Sequence, residues 1–473
     1  MNNNRSLSRA VLILLPAALG TVGFLLSGST FLNALFVSVT MYAMEFSDPP
    51  PNLLVELARW TAPIAAASGI LLAINSVKER LRNWFLARSS KSIAVYGDEE
   101  DQDDLLGQIG KYGIRGKDKL VRASQYILAG SEQDNMNFYE VHQDRLKDHT
   151  VYLRCRTMSV QASRNPRVKF YSAEETAARL FWKKHCLYAR SVERGHRLSV
   201  VLLGFGRLGE ELLYWGLQEN LFSPDQRIEY HVFGDCDEFL STHPGVAELQ
   251  DVVVPHDEPW YHALDTLRCS DLIVILDQEH QIELPQRLLL IPELPQIVCF
   301  ASLDAQLDLF GPSAQLEWFV WQTEANRIEN IMEGRLLRAA KAINLHYAHL
   351  YSGVEENEEN LELEWEKLDA FLRYSNISSA DYHEVRLKML EQMGVPADYN
   401  ALPPDVLELL AELEHNRWCS YHYLNNWRWG EPADGKRKDT VRRIHRDLIW
   451  YRDLPESEKE KDRANIQVLL EVK

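Results

Sequence analysis

Apolar and polar positions are spread unevenly along this chain. No charged residue occurs from Ala10 to Met44. A helix that crosses a bilayer core needs about 20 apolar residues. Ala10–Leu26 therefore predicts one membrane span, and the uncharged run Trp60–Val77 a second. Between them, Phe31–Phe46 is apolar up to Glu45 and runs into Ser47-Asp48-Pro49-Pro50-Pro51, where the prolines stop a helix. Beyond residue 92 the pattern changes to short apolar runs alternating with helical stretches. Strands are predicted at Ile93–Tyr96, Tyr126–Leu128, Val151–Leu153 and Val168–Phe170. Ser172-Ala173-Glu174-Glu175 then opens a helix with capping-box spacing. A second series follows at Leu198–Leu203, Ile228–Phe233, Val252–Val254, Leu272–Leu276 and Ile297–Phe300. Such alternation implies parallel sheets. Helical Arg327–Tyr351 leads into Glu355–Asp369, which holds eight acids and one lysine, and an amphipathic helix covers Leu407–Trp418.

Charge orients the two predicted spans. Arg5 and Arg9 precede the first; Lys78, Arg80, Arg82, Arg88 and Lys91 follow the second; Glu45, Asp48 and Glu56 lie between. The positive-inside rule puts both chain ends in the cytoplasm of an inner membrane. A signal peptide is the competing reading of the first run, but it leaves the second unexplained. Span, apolar half-helix and span is also the layout of a two-helix pore with a re-entrant segment. Thr40, Tyr42 and Glu45 are then the pore candidates, although the segment 38–45 has no glycine to turn its carbonyls inward. A simple two-helix anchor is the alternative.

The second strand series contains the clearest motif. Leu198–Leu203 runs directly into Gly204-Phe205-Gly206-Arg207-Leu208-Gly209 and then into helical Glu210–Trp215. Gly204 permits a tight turn, Gly206 lets a phosphate approach the backbone, and Gly209 lets helix and strand pack closely. This is a Rossmann fingerprint. Asp235 and Asp237, after the second strand, are placed to accept from ribose hydroxyls. The insert Glu219–Arg227 explains their longer spacing from the glycines. NAD(H) or another adenine nucleotide is the expected cofactor. The equivalent turn of the first series, Gly97-Asp98-Glu99-Glu100-Asp101, is crowded with carboxylates and hostile to pyrophosphate. That unit is expected to be structural.

Composition narrows the classes. The chain has 473 residues, enough for about three domains of roughly 100–200 residues each. With 51 basic and 69 acidic side chains it carries a net charge of −18, so no nucleic-acid partner is expected. Residues 1–92 carry +4 and the remainder −22. Six scattered cysteines include no CxxC pair, which predicts reduced thiols and no metal site.

Two resemblances follow from these motifs. Predicted membrane segments followed by a fingerprinted Rossmann unit resemble the TrkA-N, or RCK, regulators of potassium channels and transporters. The resemblance spans about residues 92–345 and is strongest at Gly204, Gly206, Gly209 and Asp235. It implies that Gly204–Gly209 face phosphates, that Asp235 or Asp237 faces the ribose, and that binding is passed to a pore. The C-terminal block resembles the RyR domain, the module named after ryanodine receptors. Glu412, His415, Trp418, Trp427, Gly430, His445, Leu448, Tyr451, Leu454, Glu458, Lys459, Asp462 and Arg463 agree in order and spacing. Asn426 stands where a glycine is common. Arg373, Ser375, Asn376, Ala380, Asp381 and His383 look like the helical lead-in of bacterial RyR domains. Four of the twelve tryptophans fall within 418–450. They either form the core of a protein-contact module or stack a ligand base. The ligand candidates are His415, Trp418, Trp427, Trp429, Lys438, Arg442, Arg443 and Tyr451.

The expected fold is α/β with an N-terminal two-helix transmembrane region, tandem Rossmann-like sheets and a small, mainly α RyR domain. Its divisions are 1–91, a degenerate unit 92–197, the fingerprinted unit 198–353, an acidic linker and helical lead-in 354–404, and the RyR domain 405–473. The expected function is that of a membrane-anchored, nucleotide-responsive sensor or gated channel, not an enzyme. The expected partners are the lipid bilayer, a nucleotide-derived small molecule, potassium or another cation, and further copies of the chain in a homo-oligomer. Two alternatives stay open. One is a defence effector that disrupts the membrane on a nucleotide signal. The other is a membrane-tethered NAD-dependent oxidoreductase, for which His256 is the one obvious catalytic candidate.

Overall fold

The computed structural model describes residues 2–45, 52–155, 165, 167–301, 311, 313–332, 335–433 and 435–471, without the side chains of 2–12, 72–76, 79–80, 335–336 and 351. The proline run 49–51 lies outside the described residues. The chain divides into two compact units, residues 1–92 with 121–124, and residues 93–120 with 125–473.

The first unit contains α1 (Asn2–Leu26), α2 (Phe31–Thr40) and α3 (Leu53–Leu86). Small residues let these helices approach closely. A Cβ on Gly20 would stand 2.7 Å from Ser38 Oγ, and one on Gly23 2.6 Å from Val55 Cγ2. Phe24, Ala34, Met41, Val55, Ala58 and Ala62 form the core. Asn52 caps α3 by accepting from Leu54 N–H at 2.9 Å. Among the pore candidates, Thr40 Oγ1 donates to Val37 O at 2.9 Å, and Glu45 is exposed. Tyr42 is tied to α1: its hydroxyl donates to Ile13 O at 2.5 Å and accepts from Ala17 N–H at 3.2 Å. Those two groups are the partners of one i to i−4 pair, beside Pro16, where proline disturbs the helical ladder.

Among the described residues, no helix is long and apolar enough to cross a membrane. This overturns the transmembrane part of the expected fold, and with it the two-span inner-membrane localisation with cytoplasmic termini. α3 carries Glu56 and Arg59, 3.6 Å apart, in its first two turns, and Pro63 shortly after. The α/β part of the expectation holds.

The second unit begins with β1 (Ile93–Tyr96), α4 (Glu99–Ile109), β2 (Gly113–Arg115), β3 (Gln125–Leu128), α5 (Glu132–Leu146), β4 (Thr150–Arg154) and β5 (Val168–Tyr171). The strands pair in parallel in the order β2-β1-β3-β4-β5, one of the two common doubly wound arrangements. α6 (Ala173–Lys184) and α7 (Tyr188–Glu193) follow. Ser172 caps α6 by accepting from Glu175 N–H at 3.2 Å.

The second sheet is built from β6 (Arg197–Leu203), α8 (Gly206–Glu219), β7 (Arg227–Phe233), α9 (Asp237–Thr242), β8 (Val252–Pro255), α10 (Leu264–Cys269), β9 (Leu272–Ile275), α11 (Glu283–Leu288), β10 (Gln296–Ala301) and β11 (Leu316–Val320). All its pairings are parallel, and the order β8-β7-β6-β9-β10-β11 is the Rossmann order. Both faces are covered, so the strands read as nearly continuous apolar runs. Val201, Leu203, Ile273, Ile275 and Ile297 pack on one face against Leu267 of α10 and Leu284 and Leu288 of α11.

The other face joins a larger core. Val200, Leu202, Tyr230, Val232, Val274 and Phe300 pack with α6, α8 and the C-terminal helices. After α12 (Trp321–Ala325) and α13 (Ile328–Ile331) these are α14 (Arg335–Ser352), α15 (Glu358–Lys367), α16 (Ala370–Met393), α17 (Pro404–Leu424) and α18 (Glu456–Glu471). A small sheet of β12 (Arg428–Trp429), β13 (Lys438–Asp439) and β14 (Ile444–His445) lies between α17 and α18 in sequence. The C-terminal module therefore shares its core with the second sheet. Gly245 marks the closest approach: a Cβ there would lie 2.2 Å from Tyr423 O of α17.

Candidate functional site

The fingerprint turn is short. β6 ends at Leu203 and α8 begins at Gly206. Gly204 has φ +86°, and a Cβ on it would meet Asp277 N at 2.8 Å, so the turn closes only with glycine. Gly206 has φ +58°, and a Cβ there would meet nothing within 4 Å. The open side of Gly206 faces free space at the start of α8, whose first N–H groups have no intrahelical partner. Gly209 fits closely, 2.7 Å from Phe205 Cδ2 by the same test. Phe205 is buried and meets Phe239 edge-on at 6.1 Å. Arg207 pairs with Glu210 at 3.0 Å and with Glu211 at 2.6 Å. Burial pushes the Glu211 carboxyl up to about 8, although Arg207 opposes the shift.

This turn lies at the point where the strand order reverses, between β7 on one side and β9 on the other. Ligands of open α/β sheets bind at such a crevice. Asp235, exposed at the tip of β7, accepts from Asp237 N–H at 3.2 Å, and Asp237 is exposed at the start of α9. β9 contributes a pair that the sequence reading missed. Asp277 Oδ2 lies 2.9 Å from His280 Nδ1, and both side chains are accessible. The hydrogen bond to Asp277 raises the basicity of this imidazole. The signal was a D-x-x-H spacing directly after the predicted strand. His256, by contrast, lies past β8 at the sheet edge, 2.9 Å from His231 and stacked on Phe233 at 4.2 Å. In the first sheet the matching turn holds exposed Asp98, Glu99 and Glu100, while Asp101 pairs with Arg154 at 2.7 Å.

A second concavity opens in the C-terminal module. Cavities of about 570 and 340 Å³ share Leu372, Ser375, Trp418, Lys438 and His445 in their linings. Trp418 is half-buried and packs on His422 at 4.0 Å, on His445 at 4.9 Å and on His415 at 5.7 Å. Burial drives the His422 imidazole down to about 3 and His445 to about 4, so both face the cavity neutral at pH 7. His415 behaves oppositely. Burial would lower it, but the nearby Cys419 thiol and Asp462 carboxylate raise it well above the ordinary value. Its Nε2 donates to Ile449 O at 2.7 Å, and its Nδ1 lies 3.5 Å from Asp462. The exposed Lys438 has no ion pair among the described residues.

Of the other ligand candidates, Trp427 and Arg443 line the smaller cavity, where Arg443 Nη1 donates to Asn425 O at 2.6 Å. Arg442 is exposed, 3.9 Å from Asp439, and lines neither cavity. Tyr451 is buried and donates to Glu408 at 3.1 Å. Trp429 faces a different cavity, shared with the second sheet's helices. His422, Leu372 and Ser375 join the site unforeseen. His422 was visible as the residue one turn beyond Trp418; the other two come from a helix separate in sequence. Asn426 takes φ +61°, so it keeps the left-handed turn that a glycine would supply, as asparagine tolerates. In the wall of the larger cavity, Glu414 is held by Arg386 and, at 2.8 and 3.1 Å, by Arg417, whose Nη1 donates to Ser378 Oγ at 3.0 Å.

Comparison with known proteins agrees with the C-terminal resemblance: residues 400–472 match the family model of the RyR domain. No curated protein matches the chain. Among solved structures, a dipicolinate synthase chain from Bacillus halodurans is similar at 10% identity and a TM-score of 0.23, over 52% of this chain and 97% of its own. A glycerate dehydrogenase related protein from Thermoplasma acidophilum is similar at 8% identity and a TM-score of 0.22, over 51% of this chain and 99% of its own.

Proposed function

We propose that this protein binds an adenine dinucleotide such as NAD(H) at the Gly204–Gly209 turn and acts as a nucleotide-responsive module whose RyR domain reads a second ligand. One observation carries the reading. At the switch point of a Rossmann-ordered sheet, Gly206 leaves an open cradle at a helix start, with the exposed Asp235 carboxylate at the tip of the next strand. The N–H groups at the start of α8 would hold the phosphates, and Asp235 or Asp237 the ribose. NAD(H), when bound, supplies a nicotinamide that carries hydride. The RyR cavity offers the Trp418 face for a flat heteroaromatic group, neutral His422 and His445 for hydrogen bonds, and Lys438 and Arg443 for anionic oxygens. Signalling requires that each ligand bind the two states of the protein with different affinity.

The test is calorimetric titration of the full chain with NADH, NAD⁺, ADP-ribose and ATP. Saturable binding that is lost in Asp235→Ala and Gly206→Val supports the reading. Unchanged affinity in Gly206→Val moves the site elsewhere, and no binding of any nucleotide rejects it. A second reading, an oxidoreductase, is favoured by the Asp277–His280 pair beside the turn. His280 could hold or move a proton there. Steady loss of NADH absorbance with a carbonyl substrate panel, abolished in His280→Gln, would select it.

A further inference from the structure

A third cavity, of about 400 Å³, lies where the second sheet's helices meet the RyR domain. Unlike the RyR cavity, which mixes basic and acidic side chains, it holds no basic residue among its described lining. Among its described lining residues there are three carboxylates, Glu248, Asp251 and Asp453, and no lysine, arginine or histidine. Asp251 is already used: it accepts from Ile228 N–H at 2.8 Å and from Gln226 at 3.0 Å. Glu248 is exposed, and among the described residues Asp453 pairs only with a distant Arg452, at 3.9 Å.

Three aromatic residues join the lining. Tyr423, Trp429 and Trp450 line the cavity, and the two tryptophans remain 58% and 54% exposed. Their exposure leaves both indoles accessible to an occupant of the cavity. Trp450 already has a cation over its ring: the Arg452 guanidinium lies 5.7 Å from the centroid. Apolar Leu217, Leu221 and Leu448 are also part of the lining, with polar Asn416, Cys419 and Ser420.

We propose that this cavity binds a small organic cation of the quaternary ammonium class. The volume suits a small molecule. Indole rings attract such a cation, and the exposed Glu248 and Asp453 carboxylates disfavour anions. The inference stands apart from the nucleotide reading and does not depend on it. Because Leu217 and Leu221 come from the α8 end and Tyr423 from α17, an occupant touches both sides of the seam.

The experiment is calorimetric titration of the full chain with choline and with 3,3-dimethylbutan-1-ol, its uncharged isostere. Choline is expected to bind about tenfold tighter, and Trp429→Ala and Trp450→Ala each to weaken it by about tenfold. Asp453→Asn should weaken it less. Both tryptophans are exposed, so these variants should keep the parent circular dichroism spectrum. Choline should also slow iodoacetamide modification of Cys419, which lines the cavity, and leave the exposed Cys269 unaffected. Equal affinity for the two probes, no saturable choline binding, or choline binding lost in Trp418→Ala but kept in Trp429→Ala would each overturn the proposal.

Discussion

Arg179 on α6 and Asp381 on α16, 202 residues apart in sequence, form a buried ion pair with Nε and Oδ2 at 2.5 Å. Lys183 joins the same carboxylate at 2.7 Å and reaches Glu384 at 3.0 Å. The pair links the helix after the first sheet to the helix that leads into the RyR domain. Burial alone would raise the Asp381 pKa, but the two cations hold it below the ordinary carboxylate range. Asp381→Asn leaves both cations buried without their counter-charge. The expected loss of unfolding free energy is about 3–5 kcal/mol, read by urea denaturation at pH 7. Since the folded pKa is depressed, the contribution is present above about pH 4 and is lost as pH falls through the folded value.

His422, which is buried, and the half-buried His383 predict a separate acid sensitivity. Burial drives His383 and His422 each down to about 3. In the unfolded chain they titrate near 6.5. The unfolded state therefore takes up protons first, and stability is full above about pH 6.5 and falls as the solution is acidified toward pH 3. The slope approaches about 1.4 kcal/mol per pH unit for each histidine. Guanidinium midpoints measured between pH 7.5 and 4.5 should fall less steeply in His422→Gln.

Gly204, Gly206 and Gly245 should respond differently to alanine. At Gly245 the new Cβ would meet backbone at 2.2 Å, and at Gly204 at 2.8 Å with φ +86°, so each should lose about 2 kcal/mol or more. At Gly206 space is open and only the positive φ is strained, which costs about 1 kcal/mol. Thermal midpoints of the three variants give the order directly. Gly206→Ala should keep the fold while weakening dinucleotide binding.

Tyr42→Phe removes a hydroxyl that serves Ile13 O and Ala17 N–H together. The expected cost is about 1–2 kcal/mol. Amide exchange at Ala17 should speed up by about tenfold or more, because the remaining ring cannot reach across the disturbed turn.

Trp418→Ala should separate the two binding sites. It removes the plate shared by both RyR cavities and leaves the glycine turn untouched. Calorimetry should show unchanged dinucleotide affinity and no binding of a second nucleotide. Loss of both would show that one site carries everything.

Much of this protein was legible in the chain because local periodicity and turn chemistry act over a few residues. The alternation of strand and helix located nine of the strands in the two large sheets, Ser172 announced the cap of α6, and the glycine spacing placed the turn. β2 and β11 were missed: β2 is a three-residue Gly-Ile-Arg run with one large apolar residue, and β11 is an edge strand interrupted by Glu317. The RyR domain entered as a resemblance to a known family, carried by residues such as Trp418, Trp427 and His445, and residues 400–472 match that family's model. The tertiary structure decided what depends on distant contacts. It set the two strand orders and brought Asp277 and His280 beside the glycine turn. It lined the RyR cavity with α16, turned Trp429 away into another cavity, and replaced the two membrane spans with a helical unit whose described helices cannot cross a bilayer. Hydrophobicity along a chain records that a segment must be covered. What covers it is decided by packing between elements far apart in sequence.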